Sequence, residues 1–319
     1  MNKHYASSLI KEFAKNLGFQ ECGIAQAGAL EDHREKLTNW LENGCHGEMH
    51  YMMNNVEKRL DPRRVVENAR SVIAVLQNYY PQKSLSEDSP YLISRYAYGH
   101  DYHDVIKNKL RKLHQYINQQ ITPAAGRVFT DSAPVLERAW AIRAGLGWSG
   151  KNSMLLSRKN GSYFFIGELI IDLELEYDKP YSGNHCGNCR QCIDACPTKA
   201  ISGNGIIDAK RCISYLTIEH TGSIPLEFED TYSQWVFGCD ICQQVCPWNR
   251  FSIPHLEPMF AMHDDIRSLG AVNWETLSEE RFNELFSKSP LMRSKFKGVK
   301  KNVNFLKSSY NPAKSNPIS

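Results

Sequence analysis

"CDICQQVCP", residues 239–247, reads as an iron–sulfur ligand run with one member displaced. The run of a two-cluster ferredoxin is C-x2-C-x2-C-x3-C-P. Cys239, Cys242 and Cys246, followed by Pro247, match its last three cysteines, and Val236 stands where the first belongs. Upstream, "CGNCRQCIDACP" (186–197) is complete, with Cys186, Cys189, Cys192 and Cys196 ahead of Pro197. Together the runs offer seven thiols, and two [4Fe–4S] clusters need eight. Cys212, in "DAKRCISYLTIEH", is the only other cysteine between them. In a two-cluster arrangement three cysteines of a run hold one cluster and the fourth reaches the other. The spacing therefore assigns Cys186, Cys189, Cys192 and Cys246 to one cluster and Cys196, Cys212, Cys239 and Cys242 to the other. Zinc is the competing metal, but its sites favour paired C-x2-C spacings rather than four cysteines ending in C-P. Cys22 and Cys45 fall outside this count and read as small apolar fillers.

Two clusters deliver electrons and need a further part of the chain to consume them. The chain has 319 residues and ten cysteines, with a net charge of +3. Charge is unevenly placed. Leu285 to Ser319 carries eight Lys/Arg and no acid, which leaves the rest of the chain at −5. This basic tail is a candidate polyanion surface. The N-terminus shows neither an apolar export region nor a twin-arginine pair, and no apolar stretch is long enough to cross a bilayer. A cytoplasmic protein without a membrane span is expected, and there cysteines serve metals more often than disulfides.

Residues 1–178 alternate helical and strand patterns. Leu9, Ile10, Phe13 and Leu17 share a helical face ahead of Gly18. Residues 30–44 and 103–121 read as helices; 71–80, 126–131 and 163–176 read as strands, with Pro134 in the first turn of a helix after the second strand. This pattern predicts an α/β or α+β domain. A cysteine-dense segment follows over 179–254. Residues 255–319 carry helical signals and the basic tail, ending in "SSYNPAKSNPIS", which reads as frayed.

Several motifs invite chemistry. "GLGWSGKN" (145–152) nearly matches a phosphate loop, but Asn152 replaces the magnesium-binding hydroxyl. It reads as a plain turn or as a backbone cradle for another polar cofactor. "DYHDVI" (101–106) begins like a cobalamin-ligating D-x-H-x-x-G motif, but Ile106 replaces the glycine, so His103 reads as a helix-start residue. Asp131 lies at a strand end, where either an active-site group or a turn residue is expected. The aromatics of "NYYP" and "RYAYGHDYH", near Arg95, suit stacking on a planar ligand or the core equally well.

"GCHGEMHYM" (44–52), "EKRLDPR" (57–63), "ISRYAYGHDYH" (93–103), "GRVFTDSAPVLERA" (126–139), "RAGLGWSGKNSMLL" (143–156), "FIGELI" (165–170), "RCISYLTIEHTGSIP" (211–225) and "WVFGCDICQQVCPWN" (235–249) resemble the epoxyqueuosine reductase family. The resemblance spans about residues 5–310. It implies reduction of epoxyqueuosine to queuosine at the wobble position of tRNA anticodons, with base-off cobalamin, two [4Fe–4S] clusters and an external electron donor. It implies an α+β architecture: a nitroreductase-like cobalamin-binding domain (1–178), a ferredoxin-like domain (179–254) and a short helical C-terminal region (255–319), in a monomer. Asp131 corresponds to the family's proposed proton donor, a role for which burial would raise its pKa. Cofactor contacts implied by the resemblance are Arg59, Tyr98, Asp131, Gly150, Lys151, Asn152, Ser153, Gly167 and Glu168, with Ser214, Thr217 and His220 near cofactor, tRNA or the second cluster. The chain stops short of the helical repeats with which many members hold tRNA, making Lys295, Lys297, Lys300 and Lys301 candidate phosphate contacts. The rival classes are a reductive dehalogenase and a non-catalytic electron-transfer protein.

Overall fold

A computed structural model describes residues 2–309 except 87, 88, 204, 230 and 233. Residues 310–319, with Lys314 and most of the stretch read as frayed, lie outside it. Among the described residues no helix is long and apolar enough to cross a membrane.

The N-terminal domain is built on a four-stranded sheet of β1 (Glu21–Gln26), β2 (Ser71–Asn78), β3 (Gly126–Phe129) and β4 (Phe164–Ile171), in the spatial order β1-β2-β4-β3. Every pairing is antiparallel, which makes the domain α+β. Strand β2 is buried on both faces, and this is why "SVIAVLQN" reads as a nearly continuous apolar run. Its alternate residues face the two layers of the first core. Ile73 and Val75 pack under α1 (Lys3–Asn16) and α3 (Tyr102–Tyr116). Val72, Ala74 and Leu76 pack with Leu37 of α2 (Glu31–Glu42) and Trp140 of α4 (Glu137–Arg143). Gly167 lets α3 approach the sheet, since a Cβ there would lie 2.6 Å from Ile106 Cγ2.

A second core ignores the linear domain limits. Ile93, Ala97 and Tyr98 join Ile213 and Leu216 of α5 (Ile213–Ile218), Val236 and Phe237, and Trp274. Phe282 and Phe286 of α6 (Glu279–Phe286) and Val299 and Val303 of α7 (Lys295–Ser309) complete it. Residues 235–237 pair in parallel with 92–93, so the cysteine segment is stitched to the N-terminal domain by a strand. Val236 is fully buried in that strand. The cysteine missing from the second run is missing because its position belongs to a core.

Several element boundaries differ from expectation. The 103–121 helix starts one residue earlier, on an Asp101 cap that accepts from His103 N–H, and ends in a wide turn over 117–121. The 163–176 strand is confined to β4. Pro134 lies in a loop rather than in a helix, because α4 begins only at Glu137. The longer loop follows from Asp131, whose φ of 56° breaks off β3.

Candidate active site and thiol centres

Asp131 adopts a left-handed backbone conformation, one that Asp tolerates better than most residues. Its N–H donates to a Glu137 carboxylate oxygen, which locks the turn. Its side chain is 61% accessible. Tyr102 Oη donates to Asp131 Oδ2 at 2.5 Å, and His103 Nε2 lies 3.5 Å from the same oxygen. His103 Nδ1 is held in turn by Asp101 Oδ1 at 2.7 Å. The helix start therefore does double duty. Asp101 caps α3, and the next two residues point at Asp131. The Tyr102 ring is fixed by stacking on Phe165, with centroids 4.2 Å apart.

The protonation pattern differs from expectation. Crowding pushes the Asp131 pKa up, but His103 and Tyr102 outweigh it and hold the carboxyl below the ordinary Asp range. Burial pulls His103 down, and its hydrogen bonds to Asp101 and Asp131 overcome that and carry it to about 9. At neutral pH the proton therefore rests on His103 and Asp131 is ionised. Tyr51 completes the neighbourhood; burial raises its pKa, and Glu219, Asp131, Arg293 and Arg59 act on it in turn.

The remaining expected contacts divide into several groups. Arg59 is buried, donates through Nη2 to Tyr51 O at 2.9 Å, and leaves Nε without an acceptor. His220 Nδ1 meets Glu48 Oε1 at 2.9 Å near Tyr215. Glu168 is fully buried, pairs with Glu137 and also feels the charge of Asp131. Three expected contacts also have structural work. Tyr98 is sealed in the second core with its hydroxyl accepting from Leu85 N–H, Gly167 is spent on the approach of α3, and Thr217 Oγ1 accepts from Gly238 N–H inside the fold. Arg95 is likewise taken up by Asp240, at 3.4 Å, rather than left to stack on a ligand. "GLGWSGKN" ends in a tight turn in which Gly150 N–H donates to Met154 O, and Ser153 has a φ of 63°. Lys151 Nζ donates to the carbonyls of Gly187 and Cys189, and Asn152 Nδ2 to that of Cys242. This turn thus braces both cysteine runs. Ser214 supplies a backbone N–H to the Cys212 sulfur.

The eight thiols stand as two groups. Cys192 is influenced by Cys246, Cys186 and Cys189, and these four line one cavity of about 190 Å³ with Lys151, Trp248 and Arg250. Cys242 is influenced by Cys212, by Cys192 of the first group where the two quartets adjoin, and by Cys196, and Cys239 by Cys242 and Cys212. Among the described residues no three ligand side chains converge on a point that would hold a single metal ion. The groups suit a cluster, whose sulfurs are spread wider. Backbone N–H groups aim at them, as from Ala200 to Cys196 Sγ at 3.3 Å. Burial pushes the thiols of Cys212, Cys239 and Cys242 up, so their thiolates need positive charge from a bound metal. Cys22 packs as a filler at the edge of the first core, its thiol pushed up to about 12 by burial.

An α+β domain carrying an acid site, braced against a segment with two thiol quartets, defines an iron–sulfur oxidoreductase. Residues 185–249 match the 4Fe-4S double cluster binding domain, and residues 59–132 match the family described as epoxyqueuosine reductase QueG. The epoxyqueuosine reductase of Cellulophaga algicola is 52% identical over 96% of this chain and 99% of its own. The chain belongs to the epoxyqueuosine reductase family. A crystal structure of epoxyqueuosine reductase with an epoxyqueuosine-modified tRNA-Tyr stem loop superposes with a TM-score of 0.88 at 28% identity, over 95% of this chain and 80% of that one. The Bacillus subtilis epoxyqueuosine reductase, solved with an Asp catalytic loop swung out of its active site, gives 0.85 at 29%, over 95% and 81%. A catabolic reductive dehalogenase shares the fold alone, at 16% identity and a TM-score of 0.50 over 78% and 32%.

Proposed function

We propose that this chain reduces epoxyqueuosine to queuosine in tRNA and that Asp131 hands a proton to the departing epoxide oxygen. The observation that carries this reading is the contact of Tyr102 and His103 with one oxygen of a solvent-open Asp131. A carboxylate so placed takes a proton from an imidazolium at its back and presents it at its front. His103 stores that proton at neutral pH, and Asp101 fixes the ring that carries it.

Two [4Fe–4S] clusters fit the two quartets, Cys186/Cys189/Cys192/Cys246 and Cys196/Cys212/Cys239/Cys242. Cobalamin fits the side of the site that holds Arg59 Nε, a buried donor without an acceptor, together with Tyr51 and His220, which suit the amide-rich rim of a corrin. When bound, the cobalamin supplies a low-valent cobalt centre and the clusters supply it with electrons from an external carrier. The chain's own residues position tRNA and supply protons.

Of the four lysines expected to face tRNA, two are otherwise engaged. Lys300 donates to Glu275 O, and Lys301 to His220 O at 2.6 Å. Lys295 and Lys297, at the start of α7, stay in the proposal. Replacing Asp131 with Asn is expected to leave iron and corrin content unchanged while lowering queuosine formation about 100-fold. Anaerobic turnover on modified tRNA, read by nucleoside mass spectrometry, is the measurement, and full activity would sink the assignment.

A further inference from the structure

Glu168 lies on the central strand β4, fully buried, and neither of its carboxyl oxygens has a donor. The group that acts on it most strongly is a second carboxyl, that of Glu137, which pairs with it side chain to side chain. Two ionised carboxylates offer only acceptors, so this contact is a hydrogen bond only when one of them carries a proton. Glu137 in turn accepts the Asp131 N–H, which places the pair directly behind the site. The groups acting on the pair are Asp131 from the loop, His103 from α3 and Arg138 from α4. Opposite Glu168 the flanking strands present Ala74 and Phe129, neither of which titrates.

Removing the epoxide oxygen as water consumes two electrons and two protons. An external one-electron carrier provides the electrons. His103 holds one proton, and the second needs another source. We propose that Glu137 and Glu168 share a proton and are the source of the second one, delivered through Asp131. In that step the O–H bond on Glu137 breaks and an O–H bond forms on Asp131; the pair is left without its proton until one from solvent returns by way of Asp131. Neither glutamate touches substrate; both act through Asp131. Burial and the neighbouring Asp131 charge raise Glu137 to about 8, and burial with Glu137 raises Glu168 well above the ordinary range, so the pair keeps a proton at neutral pH. The inference rests on the role proposed for Asp131.

The test uses the cluster-loaded enzyme without tRNA. Infrared difference spectra between pH 7 and pH 9 are expected to show a protonated-carboxyl carbonyl band that bleaches with a midpoint of about 8. The band is expected to persist in Asp131→Asn and to vanish in Glu168→Gln. With tRNA, Glu168→Gln is expected to lose ~10-fold in turnover at pH 8 and to shift the alkaline limb of the pH profile, with tRNA affinity unchanged and Glu168→Asp partly restoring the rate. Absence of the band in the wild type, or a wild-type pH profile in Glu168→Gln, would overturn the proposal. Full activity in Asp131→Asn would instead overturn the reading on which it rests, while leaving the infrared result standing.

Discussion

The two thiol quartets and the acid group around Asp131 bury charge in opposite ways. Burial raises the pKa of Cys192 and Cys246 in one quartet and of Cys212, Cys239 and Cys242 in the other, so these thiolates are complete only when a metal brings positive charge. The acid group neutralises itself with protons, on His103 and on the Glu137–Glu168 pair. One region depends on an outside partner and the other on pH. The difference teaches that the electron-handling half should fail by losing iron, and the proton-handling half by titration.

The largest expected effect breaks the first region. Cys212→Ala is expected to lower iron from about eight to about four per chain and to abolish turnover. Retention of about eight irons would refute the ligand count. A smaller effect probes the second region. His103→Gln is expected to cost ~10-fold in turnover near pH 7 and to remove the decline that the wild type shows as pH passes about 9. Unchanged pH dependence would detach His103 from the chemistry.

Stability sharpens the contrast further. His103 is raised in the fold above its ordinary value of 6.5, so its contribution is complete below that value and lost as pH climbs through about 9. Glu137 is also raised, from 4.5 to about 8, so the folded state binds the extra proton and stability declines across that window. Both signs agree. Melting temperature is expected to fall from pH 6 to pH 9, and Glu168→Gln is expected to melt a few degrees above the wild type at pH 9. A variant that melts lower there would argue against a buried, proton-dependent pair. The smallest effect lies on α7. Lys301→Ala is expected to cost about 1 kcal/mol of stability, since it removes a donor to the end of α5. It should leave the salt dependence of tRNA binding unchanged, whereas Lys295→Ala and Lys297→Ala should each flatten it by about one unit of slope.

Legibility in the sequence followed the same divide. The thiols were readable because cluster ligands obey a spacing, and even the displaced member emerged from counting. Buried β2 was readable from its apolar run. The acid site was not. His103 reads as a helix-start residue because Ile106 stands where a cobalt-ligating motif needs glycine, and "DYH" does not show what lies across from it. Glu137 and Glu168 come from a helix and a strand that meet only in three dimensions, and nothing in "LERA" or "FIGELI" marks them as partners. Gly167 has a packing role that "FIGELI" does not announce, since a Cβ there would meet Ile106 of α3. The limits of the second core were hidden for a similar reason, because residues 91–98 join it across more than a hundred residues of chain.

Val236, seated in a parallel strand, carries one more consequence. A ferredoxin run with all its cysteines in sequence can begin to gather iron as soon as it leaves the ribosome. Here the second quartet waits for Cys212, and Cys212 arrives only when α5 docks on residues 235–237. Maturation of that centre is therefore timed by folding. The first quartet waits too, for Cys246, so a chain whose C-terminal core has not closed is expected to hold less than its full iron, and iron content per chain serves as a proofreading mark for the fold.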